Sequence, residues 1–203
     1  YPATGFATTV NAANFPLVDE RLIDWAVERA MLDLRIDPDV INMMAIPIDE
    51  VVSKLMRLKR YAETRGASIT GFWERPVENM NDSTLEADVA FCGAARGATV
   101  CVSPAGEIYA CGYSTTRLGH IRDLTHFFEK GHGYYRFVTD HQTGVREMCR
   151  GCSIEGQCAG GCQITQEFAQ AEPTAEVGRR CEFYRQMTEQ LLLMELEREL
   201  SET

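Results

Sequence analysis

The residues with the clearest chemical potential are eight cysteines, all of which lie between positions 92 and 181 of a 203-residue chain. The tightest run is Cys149, Cys152, Cys158 and Cys162. Such a run favours metal binding, because the two-residue loop between its first two members lets both sulfurs face one point. Disulfides are less favoured, since bridged Cα atoms must stand about 5–6 Å apart with suitable side-chain directions.

The spacing leaves two kinds of metal site open. Eight cysteines would satisfy two zinc sites with four thiolates each. The tight run, however, has one Cys-x₂-Cys pair, and three residues separate Cys158 from Cys162. That arrangement is closer to ferredoxin runs, in which one cysteine can serve a second cluster. We therefore favour iron–sulfur chemistry and keep zinc as the alternative.

A predicted β-hairpin positions the earlier cysteines. Strand-forming residues at 100–103 and 107–110 flank the turn Pro104-Ala105-Gly106, and Cys111 follows directly. Proline then glycine in a short turn supplies a preset φ followed by a positive φ. The hairpin would therefore deliver Cys111 to a defined place.

Together, the cysteines and the hairpin glycine resemble the pattern of the SPASM domain, the C-terminal extension of many radical S-adenosylmethionine (SAM) enzymes. The matching residues are Cys92-x₁₃-Gly106-x₄-Cys111, Cys149-x₂-Cys152-x₅-Cys158-x₃-Cys162 and Cys181. The segment Leu118-Gly119-His120-Ile121 is similar to the Leu-Gly-Asn-Ile segment that often follows the family's hairpin. The resemblance covers residues 92–181 and, more loosely, residues 1–78.

The resemblance implies two auxiliary [4Fe–4S] clusters. The ligands of the distal cluster would be Cys149, Cys152, Cys158 and Cys181. The ligands of the cluster nearer the barrel would be Cys92, Cys111 and Cys162. Cys101 lies outside the seven-cysteine pattern, and two interpretations stay open: a fourth ligand of the nearer cluster, or a small buried strand residue.

The residues before the cysteines predict alternating strands and helices. Strands are expected at 6–10, 32–36 and 67–73, and helices begin at Pro16 and Pro47, with Gly66 ending the second. This order is typical of parallel βαβ units. Three such strands leave a sheet edge bare, so we expect more of the same sheet upstream or on a partner, and we interpret the chain's beginning as a cut.

The expected fold class is α/β followed by α+β. By resemblance, residues 1–78 are the last βα units of a partial (β/α) barrel, 79–91 a linker, 92–181 a SPASM-type hairpin and helix domain organised by two Fe–S clusters, and 182–203 a C-terminal helix. The charge changes at similar places, being −6 over 1–91, zero over 92–181 and −4 over 182–203. A net charge of −10 argues against a nucleic-acid partner, and no apolar run approaches the ~18 residues of a membrane span.

The resemblance implies a radical SAM enzyme that modifies a ribosomally synthesised precursor peptide by cross-linking, oxidation or epimerisation, with the auxiliary clusters transferring electrons or binding substrate. Gly112 follows Cys111 where sulfatase-maturing members have an acidic residue, which favours peptide maturation. The radical-generating Cys-x₃-Cys-x₂-Cys motif does not occur in this chain. SAM and a third [4Fe–4S] cluster are therefore expected on an upstream half-barrel, on the same chain or a partner. Flavodoxin or ferredoxin would donate electrons, in a reducing cytoplasm.

Two alternatives remain: a stand-alone iron–sulfur module for electron transfer or binding, and a zinc-stabilised interaction domain. No catalytic or SAM-binding residue is assigned in this chain. Asn11 and Asn14 follow the first strand, where a SAM contact is conceivable, but turn and cap chemistry is favoured. The histidines have no ligand spacing and are expected to be surface or hydrogen-bonded residues; they are His120, His126, His132 and His141.

Overall fold

The computed structural model describes residues 5–39, 46–81, 90–142, 149–162, 167 and 175–202. The chain divides into two compact units. Unit 1 comprises residues 1–77 and 178–203, and unit 2 comprises residues 78–177. In the described ranges, no helix combines the length and the apolar character that a membrane crossing requires.

Unit 1 is built on a parallel three-stranded sheet. Its strands are β1 (Phe6–Val10), β2 (Asp33–Pro38) and β3 (Ser68–Thr70), in that spatial order. Helices α1 (Glu20–Val27) and α2 (Ile48–Thr64) connect them. The parallel βαβ arrangement predicted from the sequence is thus confirmed. The assignment to a partial barrel stays a prediction.

The end of α2 follows the glycine that the sequence predicts for it. Gly66 has a φ of +71°, which costs a residue without a Cβ little. Its N–H donates to the Glu63 carbonyl at 3.1 Å, and the Ala67 N–H donates to the Ala62 carbonyl at 2.9 Å. These bonds satisfy the last carbonyls of the helix and direct the chain into β3.

Three element boundaries differ from the sequence prediction. The strand expected at 32–36 continues through Asp37 and Pro38, which pair with Thr9 and Val10 of β1. Pro16 lies in a short 3₁₀ turn, Phe15–Leu17, and α1 begins only after Asp19. The Asp19 carboxylate accepts the Arg21 backbone N–H at 3.0 Å, which makes Asp19 the N-cap.

The strand predicted over 67–73 ends at Thr70. A 3₁₀ turn, Phe72–Glu74, and helix α3 (Arg75–Asn81) follow it. A tertiary contact explains the early end of the strand. The fully buried Trp73 donates its Nε1–H to the Ile36 carbonyl at 2.7 Å, and this position of the side chain is reached from a 3₁₀ turn rather than from a continued strand.

Unit 2 contains an antiparallel sheet with the order β4 (Cys101–Val102), β5 (Glu107–Tyr109) and β6 (Arg117–His120). The predicted hairpin is confirmed as β4–β5, with Gly106 at a φ of +86°. Helices α4 (Gly133–Gln142) and α5 (Glu155–Cys158) also belong to this unit. Its core comprises Ala94, Ile108, Ala110, Leu118, Phe127, Tyr134 and Phe137.

The last helix, α6 (Ala175–Glu202), belongs to unit 1 from residue 178 onward. One stripe of the helix is buried, as its periodicity predicts. That stripe comprises Phe183, Tyr184, Met187, Leu191 and Met194.

Candidate metal centre

All eight cysteine side chains are half-buried thiols rather than disulfides. Seven of them lie in unit 2, and Cys181 lies in the part of α6 that belongs to unit 1. Partial burial suits thiolates that hold a cluster, because a shielded site limits water while the chain still admits the inorganic group.

The hairpin places Cys101 beside the turn that contains Cys111. Cys101 pairs with Tyr109 across β4 and β5. The Sγ of Cys101 lies 3.9 Å from the point where a Cβ on Gly112 would stand. The Cys101 thiol therefore lies on the same side of the hairpin as the Cys111 turn.

Cys92 reaches the same region through a separate turn. Both Cys92 and Cys111 pack against the apolar core of unit 2. The Arg96 N–H closes the Cys92 turn by donating to the Cys92 carbonyl at 3.0 Å. The Tyr134 hydroxyl then ties this turn to α4 by donating to the Gly97 carbonyl. Burial raises the pKa of Tyr134, so its phenol stays a neutral donor.

Glu167 links the Cys111 turn to the chain that follows Cys162. Its Oε1 accepts the Ser114 hydroxyl at 2.6 Å, and its Oε2 accepts the Thr115 backbone N–H at 3.1 Å. Both donors lie three or four residues after Cys111, and Glu167 lies five after Cys162. Glu167 could not be identified from the sequence, because an isolated glutamate gives no local signal of a contact more than fifty residues away.

The tight run forms two compact turns. Gly151, inside the Cys149–Cys152 pair, has a φ of +79°, and the Cys152 N–H donates to the Cys149 carbonyl at 2.9 Å. The Gly151 N–H donates to the Glu155 carboxylate at 2.8 Å. This closed geometry brings the first two thiols of the run onto one local loop.

The second turn follows Cys158 at the end of α5. Ala159, Gly160 and Gly161 all have positive φ, at 50°, 79° and 73°. The Gly161 N–H donates to the Cys158 carbonyl at 2.9 Å. Three successive left-handed residues reverse the chain tightly before Cys162, a conformation that favours glycine at two of the three positions.

A buried asparagine anchors this run. Asn79 is 5% exposed and donates its side-chain N–H to the Gln157 carbonyl at 2.7 Å. Gln157 directly precedes Cys158, so Asn79 fixes the position of α5. Asn79 could not be identified from the sequence either, since its contact spans 78 positions.

In the described residues, which include all eight cysteines, no three His, Cys, Asp or Glu side chains are close enough to share one metal ion. A four-iron cluster takes one thiolate per iron, so its ligands stand farther apart than four thiolates on one zinc. The finding therefore concerns a single-ion site and leaves the cluster prediction open. The donor set itself, half-buried thiols on glycine-rich turns, fits an iron–sulfur cluster chemically.

The histidines that the structure describes make local contacts. His120 Nδ1 accepts the Arg122 N–H at 3.1 Å, so Nε2 carries the proton and donates to the Ala105 carbonyl at 3.0 Å. His126 pairs with Glu129 at 2.7 Å on the surface. The His120 Nε2 thus holds the hairpin turn, and its Nδ1 holds the turn that follows β6. His132 differs from the expectation, because its Nδ1 is buried and makes no hydrogen bond among the described residues. The side chain of His141 lies outside the described residues.

The two asparagines after β1 serve the turn, as favoured from the sequence. Asn11 Oδ1 accepts the Ala13 N–H at 3.0 Å, and Asn14 Nδ2 donates to the Thr9 carbonyl at 2.8 Å. Asn14 Oδ1 also accepts the Asn11 backbone N–H at 2.8 Å. These bonds give both side chains a structural role.

Part of the chain is similar to a known enzyme. No protein-family model matches the chain. Over 117 residues the chain is 26% identical to the radical SAM cyclopropyl synthase TigE of Paramaledivibacter caminithermalis, and the match covers 57% of this chain and 24% of TigE. The chain therefore matches about a quarter of the length of this relative. The similarity indicates that the chain is related to radical SAM enzymes.

Proposed function

We propose that this chain is the C-terminal part of a radical SAM enzyme whose SPASM-type domain binds two auxiliary [4Fe–4S] clusters. The observation that carries the proposal is the pattern of seven cysteines and one glycine, with the glycine at a hairpin turn of positive φ. The partial similarity to TigE supports the same class of enzyme. In this proposal, residues 1–78 are the last βα units of the partial barrel.

The cluster nearer the barrel would be held by Cys92, Cys101, Cys111 and Cys162. Packing of Cys92 and Cys111 on one apolar core supports this set. The Glu167 bridge supports the inclusion of Cys162, because it joins the chain after Cys162 to the turn after Cys111. We include Cys101 as the fourth ligand because its thiol lies beside that same turn.

The distal cluster would be held by Cys149, Cys152, Cys158 and Cys181. The compact turns around the first three support their grouping. When bound, both clusters would supply electron acceptance or relay. The chain's own contribution is to hold the thiolates in half-buried positions and to limit the access of water.

The proposed substrate is a ribosomally synthesised precursor peptide. Hydrogen abstraction from the peptide would start at the SAM site of the upstream half-barrel, with electrons from flavodoxin or ferredoxin. The outcome would be a cross-link, an oxidation or an epimerised residue. TigE is named a cyclopropyl synthase, so a ring closure within the peptide is one such reaction.

The test is an anaerobic reaction of the full-length protein with SAM, a reductant and the small peptide encoded beside its gene. We expect formation of 5′-deoxyadenosine together with a peptide that has lost two hydrogens or gained a D-residue, both measured by mass spectrometry and chiral analysis. If iron-loaded protein yields no 5′-deoxyadenosine, the proposal is contradicted. The alternative function, an iron–sulfur module for electron transfer or binding, would then be favoured.

A further inference from the structure

One face of the parallel sheet in unit 1 is buried and the other carries polar side chains. Leu34, Ile36 and Ile69 are at most 1% exposed. Arg35 and Asp37 alternate with them along β2, so their side chains point to the opposite face. The Arg35 side chain is 44% exposed and that of Asp37 is 20% exposed.

The strand register gathers polar groups around this pair. Thr9 of β1 lies opposite Asp37, and Thr70 of β3 lies opposite Arg35. Thr9, Asp37 and Thr70 are near the carboxyl ends of their strands. The carboxyl edge of a parallel sheet is where α/β proteins bind ligands.

The guanidinium of Arg35 is held in one orientation. Its Nε donates to Asp37 Oδ2 at 2.6 Å, and its central carbon lies 4.2 Å from the centre of the Phe72 ring. Asp37 is fixed in turn, because its Oδ1 accepts the Phe72 backbone N–H at 2.6 Å. Within the described ranges, the terminal Nη1 and Nη2 groups of Arg35 make no hydrogen bond.

We propose that Arg35 binds a carboxylate on this open face. The two Nη groups form a planar fork that matches the two oxygens of a carboxylate. The neighbouring Asp37 favours a monoanion, since a dianionic phosphate would meet more repulsion. Because Asp37 and Phe72 already fix the orientation of the guanidinium, ligand binding costs less conformational entropy. The inference builds on the proposed function, which offers two sources: the carboxylate of SAM or an acidic side chain of the peptide.

The test uses the full-length protein, with any residues that flank this chain, and compares Arg35→Ala with Arg29→Ala. Arg29 is a matched control: its side chain is 47% exposed, and its guanidinium lies 4.6 Å from the Trp25 ring. Each variant loses one positive charge and one aromatic contact in unit 1. Thermal unfolding checks that both variants stay folded, and Arg35→Lys keeps the charge without the fork.

Equilibrium dialysis measures Kd for two ligand pairs. The first pair is SAM and decarboxylated SAM, and the second is N-acetylglutamate N-methylamide and N-acetylglutamine N-methylamide. In at least one of the two pairs, we expect the wild type to bind the compound with the carboxylate more tightly than the compound without it. Arg35→Ala should weaken binding of that carboxylate roughly 10- to 100-fold and remove the preference. Arg35→Lys should fall between the two, and Arg29→Ala should match the wild type. The pair that responds identifies the source.

Three results would overturn the site: a wild type without preference in either pair, equal losses in Arg35→Ala and Arg29→Ala, or a preference that survives in Arg35→Ala. Failure of the proposed function looks different. A wild type that does not bind SAM but prefers the glutamate compound, with that preference lost in Arg35→Ala, would refute the radical SAM proposal and retain the carboxylate site.

Discussion

At the scale of single residues, Gly106 connects the sequence to the geometry of the hairpin. Its φ is +86°, and a Cβ there would stand 2.9 Å from the His120 ring and 3.0 Å from Ile121 Cγ1. The same histidine holds the turn by donating to the Ala105 carbonyl. The turn therefore needs a residue without a side chain, both for its backbone conformation and for the space that His120 occupies.

Replacing Gly106 with alanine should lower the free energy of unfolding by about 1–3 kcal/mol, because it adds backbone strain and displaces His120. The matched control is Gly156→Ala in α5, where nothing lies within 4 Å of the added Cβ. That control should be neutral or stabilise by about 0.5–1 kcal/mol. Chemical unfolding measures both, and equal effects would show that the hairpin does not depend on Gly106.

The candidate ligands could be predicted from the sequence, but their supports could not. Cysteine spacing and a Pro-x-Gly turn are local patterns, so they can be recognised in the sequence alone. Glu167 and Asn79 act through contacts across more than fifty positions, and neither residue type marks such a role. Arg35 is an intermediate case. The alternation of apolar and polar residues along β2 predicts that it lies on the polar face of the sheet, but not which groups it contacts there.

At the scale of elements, hydrophobic periodicity predicted the parallel sheet and α2. Tertiary contacts, which periodicity does not reveal, determine the position of β6 and the end of β3. The strand β6 escaped prediction because it contains Gly119, a residue with low strand propensity. The fold requires that glycine, since a Cβ there would lie 2.7 Å from the Phe127 ring. The early end of β3 likewise follows from the burial of Trp73.

A shielded ion pair joins α2 to the turn that follows β3. Lys59 Nζ lies 2.7 Å from Glu74 Oε1, with side chains 12% and 13% exposed, and also donates to the Ile69 carbonyl at 3.0 Å. Lys59→Met should cost about 2–4 kcal/mol of unfolding free energy, because Glu74 loses its lysine in a shielded place.

The control for that change is Arg57→Met on the same helix. The ion pair of Arg57 with Glu20 is largely exposed, at 60% and 36%, and should contribute less than about 1 kcal/mol. Denaturant unfolding of both variants checks the difference. Equal losses would show that shielding does not strengthen the pair between α2 and the residues after β3.

At the scale of the whole molecule, the two units differ in what holds them together. Unit 1 has a sheet, two connecting helices and a buried helix stripe. Unit 2, in its described part, has short strands of two to four residues and turns around the cysteines. The proposed clusters would therefore contribute much of the stability of unit 2.

Removal of iron by a chelator, or Cys152→Ala, should abolish the tertiary structure of unit 2 and leave α1 and α2 intact. Hydrogen exchange would detect lost protection in residues 90–142 and retained protection in unit 1. Ser153→Ala, an exposed neighbour of Cys152, is the control and should keep full protection. Unchanged protection in the iron-free protein would contradict a cluster-dependent fold.

The most direct test of the central claim is the metal and sulfide content of this chain after anaerobic purification, combined with Mössbauer spectroscopy. The account predicts about eight iron and eight sulfide ions per chain, with the spectrum of two four-iron clusters. Cys111→Ser should remove at least about half of the iron, because it takes a ligand from one of the two proposed clusters and the other cluster belongs to the same metal-dependent unit. Stoichiometric zinc in place of iron, or thiols without any metal in a metal-replete preparation, would contradict the assignment.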